Sequence, residues 1–351
     1  MMVCVLNMQT LVAQETGAWI RINQLGYLPG DIKVAVMISM EETNPADFRV
    51  LDARTGNCVF SGSVKDGSLK KVPAQKWGMA SAFRLDFTNL VQEGGYCIEM
   101  DVPGKGTVKS PDFRIGTEVY DRSADFLLNY MRQQRCGYNP FLDTQCHQND
   151  GYIVLHPERS GEKIDVTGGW HDATDYLQYL TTSANATFQM MFAYTQAEDK
   201  TVFGDRYNDR GRPGANGIPD ILDEIRWGLE WLLKMNPEDK VMFNQIADDR
   251  DHVGFRLPVN DKADYGWGPD GGRPVYFITG ERQGLAEHIN RTTGVASSAG
   301  KFASAFALGA ELFKDLDPGF AAKMKVKALP AYEFAEEKPG NTQTCCVVSP
   351  Y

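Results

Sequence analysis

The hydrophobic period of this chain changes near residue 117, and no single repeating architecture can serve both sides of the change. Before it, short alternating runs (19–23, 33–39, 48–52, 58–64, 83–87 and 96–102) are separated by turn signals such as Arg54-Thr55-Gly56-Asn57, Glu93-Gly94-Gly95 and Pro103-Gly104-Lys105-Gly106. Alternation puts every second side chain on one face of a strand. About seven such strands in about a hundred residues, with no helical stretch between them, predict an immunoglobulin-like β-sandwich over 17–116. No group of reactive side chains falls here, so this part reads as a structural module.

After the change, apolar residues recur at helical spacing over 120–134, 175–194, 218–235 and 294–313. Ile218, Ile221, Leu222, Ile225, Leu229, Leu232 and Leu233 share one face of the third helix. Pro219 suits its first turn, and Asp220, Asp223 and Glu224 complement the N-terminal dipole. Along the fourth, Ala296, Ala299, Ala303, Ala307 and Gly309 let another helix come close. The connections 203–217 and 236–291 are long and rich in Gly, Asp, Asn and aromatic residues; loops of that length inside a compact domain usually carry function. An all-α barrel of helix pairs with a cleft at one end fits this pattern, and so does an irregular bundle.

Composition narrows the partners. The 351 residues carry a net charge of −10, which repels nucleic acid and anionic membranes and is indifferent to a neutral substrate. No apolar run is long enough to span a bilayer. Residues 1–15 are mostly apolar up to Gln14 and resemble the back half of a secretory signal peptide without its basic start, so a secreted or periplasmic location is expected. A disordered or packed arm is the other reading. The seven cysteines are an odd number, and a chain of this size does not need disulfides for stability.

Chemistry concentrates in Gly168-Gly169-Trp170-His171-Asp172-Ala173-Thr174-Asp175-Tyr176. Asp172 and Asp175 stand three apart at what reads as a loop-to-helix transition. On a helix they would share a face, and the N-terminal dipole would favour their ionised form, as a general base requires. Asp-x-x-Asp at a helix start is also an ordinary cap. A second cluster, Cys136, Cys146, His147 and His171, offers two thiolates and two imidazoles, a donor set that suits tetrahedral Zn2+. Spacing alone leaves a Cys136–Cys146 disulfide equally open. Asp205, Asn208 and Asp209 offer oxygens for Ca2+ but lack EF-hand spacing, and a solvated turn explains them as well.

The aspartate segment resembles the signature of family 9 glycoside hydrolases. The likeness continues through Ile20-Arg21-Ile22-Asn23-Gln24-Leu25-Gly26-Tyr27-Leu28-Pro29, which is similar to the start of the immunoglobulin-like domain preceding many of their catalytic domains. It continues again in Gly217-Ile218-Pro219-Asp220-Ile221-Leu222-Asp223-Glu224, Asn290-Arg291-Thr292-Thr293-Gly294 and 299–307. The resemblance implies an (α/α)6 barrel over 117–351, of which about the first half is present. It implies inverting hydrolysis of β-1,4-glucosidic bonds in cellulose, mixed-linkage glucan or xyloglucan. By it Asp175 is the general base and Asp172 helps to hold the attacking water. Thr174 stands where the commoner pattern has Gly, which should reshape the turn between them. The family's acid is a Glu near the end of the barrel; Glu333, Glu336 and Glu337 do not sit in its motif, so the chain alone is expected to be inactive. The resemblance favours zinc at Cys136, Cys146, His147 and His171, and makes His252, Trp170 and Tyr176 candidate sugar contacts. Tyr265, Trp267 and Tyr276 are further aromatics that could stack on glucose rings. A monomer is expected. An exo-acting enzyme on oligosaccharides, or a noncatalytic glycan-binding protein, are the alternatives.

Overall fold

The computed structural model describes residues 17–74, 78–173, 175–268, 271–284 and 286–346. The expected signal segment 1–15 and the turn effect of Thr174 lie outside the described residues. The chain divides into two compact units, 1–121 and 122–351.

In the first unit, strands β1 (Ala18–Arg21), β2 (Val34–Ser39), β5 (Leu69–Val72) and β6 (Ser81–Asp86) form an antiparallel sheet in the order β1-β2-β6-β5. Strands β3 (Asp47–Asp52), β4 (Cys58–Ser63), β7 (Gly94–Val102) and β8 (Gly106–Lys109) form a second, in the order β4-β3-β7-β8, with β9 (Phe113–Ile115) also paired to β7. Alternation does what the sequence implies: Met37, Phe48, Val50, Leu85, Ile98 and Met100 are all buried in one core. Tyr27 packs edge-on against Phe87 and Phe113, and its hydroxyl donates to Val34 O at 3.0 Å. Gly26 precedes it at φ +110°, where a Cβ would lie 2.6 Å from Arg114 O, so only glycine lets these segments meet. Three short strands, β5, β8 and β9, go beyond the sequence expectation.

The second unit holds helices α1 (Ser123–Gln133), α2 (Leu180–Gln196), α3 (Asp220–Met235), α4 (Ala296–Phe313) and α5 (Pro318–Glu337). Ile221, Ile225, Leu229 and Leu232 of α3 meet Met191 of α2, Phe302, Phe306 and Phe313 of α4 and Met324 of α5 in one core. Gly309 permits the close approach: a Cβ there would sit 2.7 Å from Met324 Sδ. Pro219 lies one residue earlier than expected, at the N-cap.

The unit is not made of helices alone. Strands β12 (Tyr152–Val154), β13 (Gln178–Tyr179), β14 (Phe243–Ile246) and β15 (Pro274–Phe277) form a sheet in the order β12-β15-β14-β13. A hairpin, β10 (Tyr138–Asn139) and β11 (Thr144–Gln145), precedes them. At two to four residues each, these strands are too short for a period to register, and β14 is buried along its whole length. β14 and β15 give structure to the long connection 236–291, and β13 takes up residues expected to be helical.

Candidate active site and metal centre

Asp172 and Asp175 do not sit on a helix. Helix α2 begins at Leu180, and the intervening chain folds into a closed loop in which Asp172 N–H donates to Leu177 O at 2.8 Å. Helix cannot start sooner because its backbone is already committed. Tyr176 N–H donates to Asp251 Oδ1 at 2.7 Å, and Gln178 and Tyr179 pair with β14. The loop is entered through Gly168 and Gly169, both at positive φ; a Cβ on Gly169 would be 2.7 Å from the Trp231 ring.

Each aspartate has a specific partner. Asp175 Oδ2 lies 2.8 Å from His252 Nε2. Asp172 is exposed, and its Oδ1 accepts from Thr182 Oγ1 at 2.7 Å, on the first turn of α2. Without a helix dipole the electrostatics reverse the sequence expectation. Burial raises the Asp175 pKa, the nearby Asp251 and Asp172 add to the rise, and His252 opposes it. Asp175 is therefore tuned toward a proton, not away from one.

Asp251, fully buried, organises the floor beneath. Besides Tyr176 N–H, its carboxylate accepts from Arg256 Nη2 at 2.7 Å and from the Tyr265 hydroxyl at 2.9 Å. Arg273, also buried, donates to Asp150, Gln178 Oε1 and Cys136 Sγ.

Cys136, Cys146, His147 and His171 come together, with their donor atoms within 4.8 Å of one another. Cys136 Sγ lies 3.6 Å from His147 Nδ1, Cys146 Sγ 3.9 Å from His171 Nε2, and the two imidazole nitrogens are 3.4 Å apart. Both thiols are free, so the disulfide alternative is not realised. The Cys146 thiol is held below its ordinary value, chiefly by the hydrogen bond from Cys136. His147 is raised to about 9: burial and Arg273 press it down, but Cys136 and Asp261 outweigh them. Burial pushes the Cys136 thiol up and the His171 imidazole down, so the four shifts favour no single charge; by donor type and proximity these four residues can hold a metal ion.

The profile of "Glycosyl hydrolase family 9" matches residues 120–350, and that of the "Cellulase N-terminal ig-like domain" matches residues 15–105. The chain belongs to glycosyl hydrolase family 9. Among its family 9 relatives, Endoglucanase D of Acetivibrio thermocellus is 26% identical over 341 residues, covering 92% of this chain and 46% of that protein. A xyloglucan-specific endo-β-1,4-glucanase of Bacteroides ovatus is 26% identical over 333 residues, covering 91% and 50%. The crystal structure of a metagenome-derived family 9 endoglucanase superposes with a TM-score of 0.66 at 29% identity, over 93% of this chain and 55% of that one. A zinc-binding triple mutant of a family 9 endoglucanase gives 0.65 at 27% identity, over 90% and 54%. The chain thus spans about half the length of the curated relatives it matches.

Within this family 9 chain several expected sugar contacts prove to be supports. Trp170 is buried under α3 and its indole N–H donates to Glu224 Oε1 at 2.8 Å. Tyr176 is buried too, its ring packed against His171 and His147 with the Arg256 guanidinium 4.6 Å from its centre. Tyr265 and Tyr276 are buried and spend their hydroxyls on Asp251 and Asp248, while Trp267 stacks on Tyr152. Of the three sugar-contact candidates, only His252 keeps substantial exposure. Asp205 accepts from the backbone of Asn216 and Gly217, and Asn208 from Arg210 and Arg212, so both brace turns. Arg256 and Asp261 were missed altogether: they bond each other within a stretch that has no helical or strand period to place them, and the link from Asp261 to His147 spans 114 positions.

Proposed function

We propose that this chain carries the base half of an inverting glycoside hydrolase site for β-1,4-glucans. The observation that carries the reading is Asp175, half-buried and gripped by His252, in the same tight loop as the exposed Asp172. A carboxylate there takes a proton from water while its neighbour orients that water. Inversion requires base and acid on opposite sides of the sugar with room for the water between them. No residue of this chain is assigned as the acid: Glu336 accepts from Tyr332 and Glu337 pairs with Lys240. The sandwich over 17–116 is the companion module. The helices of 117–351 form part of an (α/α)6 barrel, and secretion suits an extracellular polysaccharide.

The metal is zinc in a closed structural shell. Tetrahedral bonds of about 2.3 Å to sulfur and about 2.0–2.1 Å to nitrogen separate a sulfur–nitrogen pair by about 3.6 Å and two nitrogens by about 3.3 Å. The spacings of 3.6, 3.9 and 3.4 Å support that fit. With all four positions taken by protein, its part is structural, and water activation falls to the aspartates.

Calorimetric titration with cellohexaose, run beside a reducing-sugar assay on carboxymethylcellulose, tests the reading. Binding without release of sugar is expected. Absence of binding overturns the β-glucan assignment; release of sugar overturns the missing acid.

A further inference from the structure

The loop that grips the base has little regular structure to hold it. Between Asp248 and Asp261 regular structure is limited to single turns at Asp249–Asp251 and Pro258–Asn260. Its apolar side chains do not anchor it either: Val253 is 63% exposed and Phe255 91% exposed. Tyr265 holds Asp251 and Arg250 holds Asp248, and the loop is tied to the metal cluster by a file of charged groups of alternating sign. His147 presents Nδ1 to the cluster and Nε2 to Asp261 Oδ2, 3.0 Å away. Asp261 Oδ1 accepts from Arg256 Nε at 2.8 Å, and Arg256 Nη2 donates to Asp251 Oδ1 at 2.7 Å. That same oxygen holds the Tyr176 amide, one residue from Asp175, and the next residue after Asp251 is His252, bound to Asp175 itself. Both carboxylates and the guanidinium are largely withdrawn from water, where such bonds are strong when complete and costly when one member is displaced.

We propose that the Cys136–Cys146–His147–His171 cluster holds the base in place through the relay Asp261–Arg256–Asp251, so that a bound metal orders the segment carrying His252. Metal fixes His147; a fixed His147 fixes Asp261, whose two oxygens then dictate where Arg256 and Asp251 lie. The inference takes Asp175 as the base, but the coupling is a property of the fold and exists whether or not a glucan is turned over. Asp261, Arg256 and Asp251 are positioning residues, acting through Tyr176 and His252.

The test is hydrogen exchange of the full 351-residue chain, loaded with Zn2+ and then stripped by chelator. The informative segment is 248–256, which contains no ligand of the cluster. Stripping should speed its exchange roughly tenfold, the lower end of what outer partners of a metal site are worth. Because coupling is reciprocal, Arg256→Met, at a residue outside the ligand set, should weaken Zn2+ binding about tenfold, and Arg256→Lys, unable to reach both carboxylates, nearly as much. Tyr265→Phe removes a bond to Asp251 outside the relay and should leave Zn2+ affinity unchanged. Loss of protection confined to 134–148 and 171, with 248–256 indifferent to metal, overturns the coupling while leaving the hydrolase reading intact. A chain that takes up no Zn2+ overturns the coupling together with the zinc assignment, again without touching the glucan-binding test.

Discussion

The β-sandwich and the loop layer around Asp175 bury polar groups in opposite ways. In the sandwich, the buried Lys33 ammonium donates to the backbone oxygens of Pro29 and Asp31, and ion pairs such as Arg49–Glu99 and Lys71–Glu42 lie toward the surface. Apolar area, not charge, decides that fold. The loop layer buries whole ion pairs, Arg273–Asp150 and Arg256–Asp251, and Arg135–Glu224 is buried against α3. Such pairs recover their desolvation cost only with good geometry, so they are poor sources of stability. They are good at fixing position, because each oxygen has one place to be. The contrast separates a region built to persist from one built to aim side chains.

Breaking one member of each region should expose the difference. Arg273→Met strands Asp150 as an unpaired buried carboxylate and should cost about 3–5 kcal/mol in the second unit. Ile98→Val in the sandwich core removes one methyl group and should cost about 0.5–1.5 kcal/mol in the first. Urea unfolding followed by exchange in each unit separately reads both; equal costs would erase the distinction. Metal removal sharpens it. Zn2+ at about a thousand times its Kd stabilises by about 4 kcal/mol. Chelator should therefore lower the unfolding temperature of the second unit and leave sandwich amides untouched.

The same contrast governs what was legible in the sequence. The sandwich could be read because its information is local: alternation over five or six residues states both strand and face. Strands β5, β8 and β9 escaped only by being short. Helix α3 was legible from its unbroken apolar face, whereas α5 carries Pro330 in its interior and buried residues too sparse to declare a period. In the site, Asp172, Asp175 and His171 were legible because they share one recognisable segment, and Cys136, Cys146 and His147 because their donor types stand out ahead of it. Their surroundings were not. The bonds from Tyr176 to Asp251 and from His147 to Asp261 span 75 and 114 positions. The helix expected to start at Asp175 failed for the same reason: Gln178 and Tyr179 pair with the distant strand β14, and propensity cannot report that.

Two smaller effects test whether burial or pairing sets each carboxylate. Burial raises Asp223 to about 6, with Asp209 and Asp220 adding to the rise against the hydrogen bond from Asn216. Since the folded value exceeds the unfolded value of about 3.9, the folded state holds this proton more tightly, and ionisation costs stability. That cost is absent below about pH 4 and complete above about pH 6. Asp223→Asn should therefore match the parent chain at pH 4 and unfold at a higher temperature at pH 7; a difference that does not grow with pH would assign the shift to something other than the carboxylate.

Asp175 is the finer case, because its neighbours pull in both directions. Burial raises it first, His252 opposes, and Asp251 and Asp172 reinforce the rise. Removing the imidazole in His252→Gln should move its titration to higher pH, since the group that opposes the rise is gone. Removing a like charge in Asp172→Asn should move it to lower pH. Carboxyl-13C aspartate spectra read both, with Asp175→Asn identifying the signal, and no substrate is needed. Shifts in the same direction would mean that the loop rearranges in one of the variants and that charge is not what tunes the base. Opposite shifts would make His252 the group that keeps a partly desolvated carboxylate ionised, which is the role a helix N-terminus was expected to play and does not.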